Sequence, residues 1–97
     1  MKELDFDNMY DESVSMAVLI GRTKTREEVK RFAWLPLAIL YEQMIRRKEI
    51  EPLSSLPKEK KLKYWDETEG ISFVTTERFK RIIVAQSLYV FDLITKE

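Results

Sequence analysis

Apolar residues recur at helical steps along four stretches of the chain, with polar breaks between them. In the first stretch, Met9, Met16 and Ile20 fall on one face and Tyr10, Val14 and Ala17 on the adjacent one, predicting a helix from about Asp7 to Ile20. Asp7 would cap its orphan amides, and Asp11 and Glu12 would complement the positive end of its dipole. Gly21 would then supply a left-handed stop.

The second stretch opens on Thr25-Arg26-Glu27-Glu28, which matches a capping box. Val29, Phe32, Ala33, Leu37, Leu40 and Met44 follow at steps of three and four. Trp34, Leu35, Ala38 and Ile39 fill the positions between them, so the segment is apolar on every side. Pro36 lies inside it, with no amide to give Phe32 and a steric bias against helical geometry at Leu35. Either one helix kinks there, or a short helix over Thr25 to Ala33 turns into a second that opens at Pro36. The break is the preferred reading. Arg46-Arg47-Lys48 closes the later helix before Pro52.

In the third stretch, Ser54-Ser55-Leu56-Pro57 has the form of a helix start running to about Trp65. The alternative pairs Leu62 to Trp65 with Ile71 to Val74 as a β-hairpin. Helix is preferred, because Lys58 to Lys63 has no period-two alternation. The last helix is expected from Thr75 or Thr76 to about Ile94, with Phe79, Ile82, Ile83, Val90, Leu93 and Ile94 on a broad face. Val84, Leu88 and Phe91 widen that face until only Gln86, Ser87 and Asp92 interrupt it after Arg81. At about 19 residues without a turn signal the segment is too long for a strand, and it is the expected central helix.

Length and composition add bounds. Ninety-seven residues make one domain over residues 1–97, and 44% hydrophobic residues argue against disorder. The 17 basic and 17 acidic residues cancel, which suggests neither a generic polyanion binder nor an acidic mimic of nucleic acid. Cysteine is absent, which removes disulfides and thiolate chemistry and fits a reducing, cytoplasmic setting. The charged start is not expected to be a signal peptide, and no apolar run approaches the ~20 residues that span a bilayer.

Candidate chemistry is sparse. Without histidine or cysteine the usual bases and nucleophiles are missing, and two glycines cannot build a phosphate-cradling loop. No enzyme and no cofactor are expected. Asp5, Asp7, Asp11 and Glu12 could offer oxygen ligands, but Tyr10 and Met16 occupy the positions where a calcium loop needs glycine and glutamate, so no metal is expected either. Two basic groups stand out. Arg22, Lys24, Arg26, Lys30 and Arg31 surround one helix start, and Arg46, Arg47, Lys48, Lys58, Lys60, Lys61 and Lys63 flank the Pro52 to Pro57 connection. Converged, they could hold phosphates; dispersed, they are solvated faces and helix-dipole complements.

The apolar excess carries more weight. Two helices too apolar for one wet side either pack on each other or leave a strip for a partner. The fold expected is therefore all-α, a small orthogonal or bundle-like domain of four to five helices, with one short β-hairpin near 62–74 as the alternative. The function expected is a non-catalytic, regulatory protein-protein interaction module: a small adaptor, inhibitor or assembly factor. Trp34, Leu35, Ile39, Tyr41, Leu88 and Phe91 would dock another protein or a second copy, giving an oligomer, with no membrane involved. The alternative is a nucleic-acid-binding regulator using a helix-turn-helix-like pair with Arg46, Arg47, Lys48, Lys60 and Lys61.

Overall fold

Thr25 begins its helix as the capping box requires. Its hydroxyl accepts from the Glu28 amide at 3.2 Å, and the Thr25 amide donates to Glu28 Oε1 at 2.8 Å. The computed structural model describes residues 6–71 and 77–95, and these form α1 (Phe6–Thr23), α2 (Arg26–Arg31), α3 (Leu35–Arg46), α4 (Lys58–Glu67) and α5 (Glu77–Thr95), with one 3-10 turn at Leu53–Ser55. Among the described residues there is no strand, and the protein is all-α. The Thr75 or Thr76 helix start, a second hairpin strand over 72–74, Asp5, and the Asp7 and Met9 side chains lie outside what the structure describes. Replacing Thr25 by Ala should cost about 1 kcal/mol through the lost cap. Urea unfolding reads this as an earlier midpoint, and an unchanged midpoint would contradict it.

The chain breaks before Pro36. The Phe32 and Ala33 amides both donate to Glu28 O, at 2.9 and 3.0 Å, and end α2. Pro36 then sits in the first turn of α3, where an amide has no helical partner to lose. The break re-aims the apolar stripe: Val29, Ala33, Leu37 and Leu40 are buried, while Phe32 is 61% exposed. At its other end α3 closes in a Schellman motif. The Lys48 amide donates to Ile45 O and the Glu49 amide to Met44 O, with Lys48 in the left-handed region at φ 57° where glycine is usual.

Two helices turn differently from their sequence pattern. On α1 the inward positions are Tyr10, Val14, Ala17 and Ile20, whereas Met16 is exposed. Gly21 does not stop the helix, which continues to Thr23. It admits the end of α5 instead, since a Cβ there would lie 3.2 Å from Thr95 Cγ2. On α5, Phe79, Ile82 and Leu93 face outward, and the buried apolar residues are Val84, Ala85, Leu88, Tyr89, Val90 and Phe91. The apolar residues run almost all the way round α5, so periodicity alone does not choose its inner face. The choice comes from the neighbours, because α5 packs on each of α1, α2, α3 and α4.

Residues 62–65 lie within α4, so the hairpin's first strand is helical. Arg81 fastens the end of α4 to α5. It donates to Trp65 O at 3.0 Å and to Thr68 Oγ1 at 2.6 Å, with its guanidinium 4.0 Å over the Trp65 ring. Gly70, at φ 86°, makes the turn that follows. An edge-on tyrosine cluster, Tyr41 against Tyr89 and Tyr64 against Tyr89, joins α3, α5 and α4 through the core.

Candidate functional site

The six residues expected to form a docking surface separate into two groups. Leu88 and Phe91 are core, and so is Tyr41, whose hydroxyl accepts from the Leu53 amide at 3.0 Å. Burial on the central helix and beneath the Leu53–Ser55 turn removes all three from any surface, which corrects the sequence expectation. Leu35 is 55% exposed and Ile39 is 43% exposed. They stand one turn apart on the outer face of α3, where Glu42 and Arg46 continue the same line toward solvent. Trp34 is half-buried between the groups. Its carbonyl accepts from the Ser87 hydroxyl at 2.9 Å, and the Lys80 ammonium lies 5.8 Å from its ring centroid.

Phe32 joins the exposed group through the α2–α3 break, with the Lys24 ammonium 5.7 Å from its ring centroid. The exposed apolar residues at this corner are thus Phe32, Leu35 and Ile39, beside Trp34. The sequence pattern sets Phe32 in one stripe with Val29 and Leu37, and only the backbone turn at the break rotates it out of line with them.

Several of the basic residues are engaged. Arg26 reaches inward, Lys30 pairs with Glu27 at 2.6 Å, and Arg31 lies 3.8 Å from the same carboxylate. At the end of α3, the Arg47 guanidinium sits 4.0 Å over the Tyr10 ring and its Nε donates to Glu49 at 3.2 Å. Arg46 and Lys48 are exposed beside it. On α4, Lys60 is exposed and Lys61 half-buried.

The most perturbed titratable groups meet in a network that no sequence motif announces. Arg26 on α2 donates two hydrogen bonds to Glu67 on α4 and two to Asp92 on α5, and the Tyr64 hydroxyl donates to Asp92 Oδ2 at 2.6 Å. Burial pushes the Asp92 carboxyl upward, but the hydrogen bonds from Arg26 and Tyr64 outweigh it and hold Asp92 below its ordinary value. Burial and the bond to Asp92 push the Tyr64 phenol well above its ordinary range. The charges here are paired with one another, and structural ion networks perturb titration as catalytic sites do. One sign was legible: Asp92 interrupts an otherwise apolar face. Its partner lies 66 residues away, beyond any local pattern.

Among the described residues no three carboxylates are grouped so that they could hold a metal ion, and no helix is long and apolar enough to cross a membrane. In comparisons with known proteins, the chain matches no family model, no curated protein and no solved structure.

Proposed function

We propose that the chain is a non-catalytic interaction module of the cytoplasm, a small adaptor, inhibitor or assembly factor, and that it docks a protein partner at the α2–α3 corner. The observation that carries this reading is the exposure of Phe32, Leu35 and Ile39 beside a half-buried Trp34. Each is a large side chain whose burial is worth roughly 1.5–3 kcal/mol, and the core closes without them. Aromatic and aliphatic anchors of this kind concentrate binding energy when a partner excludes water around them. The charged remainder of the α3 face, Glu42 and Arg46, would form the polar rim.

The test compares what the intact chain and a Leu35→Asp/Ile39→Asp variant retain from an extract of the source cells. A partner held by the intact chain should be lost by this variant and kept by a Lys60→Glu/Lys61→Glu variant. Recovery of the same proteins by all three would overturn the reading. Loss with the lysine variant alone would favour the nucleic-acid alternative, in which affinity falls steeply as salt rises.

A further inference from the structure

The outer face of α1 is an unpartnered helix surface away from that corner. Met16 is 47% and Leu19 53% exposed, and Asp11, Glu12, Ser15, Val18, Arg22 and Thr23 are exposed as well. Glu12, Ser15, Leu19 and Arg22 follow a three-four-three spacing, the seam of a two-helix packing. Along that seam the charge runs from acid through an uncharged centre to base. Among the described residues Asp11, Glu12 and Arg22 take part in no ion pair.

We propose that α1 is a homodimer interface, pairing antiparallel with α1 of a second copy about a two-fold axis. The seam is complementary to itself when reversed. Glu12 of one copy meets Arg22 of the other, and the same pair recurs on the far side of the axis. Ser15 of one copy faces Leu19 of the other, a small side chain against a large one, so two leucines and two serines interdigitate at the centre. Met16 flanks this centre and is covered on both copies. A parallel pairing would instead set Glu12 against Glu12 and Arg22 against Arg22, which repel. The proposal concerns a face other than the α2–α3 corner, so the Leu35→Asp/Ile39→Asp variant should dimerise normally, and each surface can fail without the other.

Sedimentation equilibrium of the full chain over a concentration series up to about 1 mM, the affinity range of small interfaces, reads the result. A dimer is expected, with a dissociation constant that rises with salt. Arg22→Glu and Glu12→Lys should each weaken it on the order of tenfold, since each removes both symmetry-related pairs and adds like-charge contacts. The double variant Glu12→Lys/Arg22→Glu restores complementarity and should recover most of the affinity. Leu19→Asp should leave a monomer with an unchanged far-ultraviolet circular dichroism spectrum. A monomer at every concentration, or a dimer that the charge swap fails to restore or that Leu19→Asp leaves intact, would overturn the proposal.

Discussion

Replacing Leu88 by Ala is expected to lower the unfolding free energy by about 2–5 kcal/mol, the range for truncating a buried leucine. Leu88 is fully buried on α5, the helix that every other one packs against, so the cavity has few loose neighbours to collapse into it. Domains of this size are commonly stable by only ~5–15 kcal/mol, so a loss at the upper end would leave a substantial unfolded fraction on warming. A thermal melt and a urea titration would both register it. If Leu88→Ala instead left stability intact and abolished an association, Leu88 would be a surface anchor and the packing of α5 described above would be wrong.

The second large effect belongs to Arg26→Met, which keeps the length of the side chain and removes its charge. Glu67 and Asp92 would then lose the cation between them, and Asp92 would keep the Tyr64 hydroxyl bond and the more distant charge of Lys63. Removing one partner of a fully buried pair costs about 3–5 kcal/mol. Here about 1–3 kcal/mol is expected, because 34% of the Arg26 side chain meets solvent, which screens the charges. The intact network should also shape the pH dependence. Asp92 titrates below its unfolded value, so its contribution is present above the ordinary carboxylate range and is lost as pH falls through the folded value, below about pH 4. Tyr64 titrates above its unfolded value, so its contribution is complete below about pH 10 and is lost as pH rises further. Urea midpoints measured against pH should therefore fall at both ends. In Arg26→Met the acid-side fall should be shallower, because Asp92 loses its main stabilising partner. An acid limb identical in both proteins would mean that the network does not link folding to proton binding.

Much of the fold was written in local signals. The Thr25 capping box, the break at Pro36 and the long last helix each rest on neighbouring residues, and each stands as expected. The orientation of α5 was not legible, because Phe79, Ile82 and Leu93 are as apolar as Val84, Leu88 and Phe91. Only the arrangement of the other helices decides which set is covered. Gly21 was misread for a related reason: a helix stop and a close approach of Thr95 both call for a residue without a Cβ, and the second depends on a segment more than seventy residues away. The candidate surface was half legible. Leu35 and Ile39 follow from the excess of apolar residues on α3, whereas Phe32 emerges only once the α2–α3 break has turned it outward. Arg26 is adjacent to a recognisable cap, yet its pairing with Glu67 and Asp92 is purely tertiary.

The apolar side chains divide into those that hold the fold and those left free to bind. Urea unfolding of Leu35→Asp/Ile39→Asp beside Leu88→Ala tests that division most directly. The double surface variant should unfold within about 0.5 kcal/mol of the unaltered chain per site, as substitutions away from packed features do, while Leu88→Ala falls well below it with an unchanged slope. Equal, large losses in both variants would place Leu35 and Ile39 in the core and leave the α2–α3 corner with nothing to offer a partner.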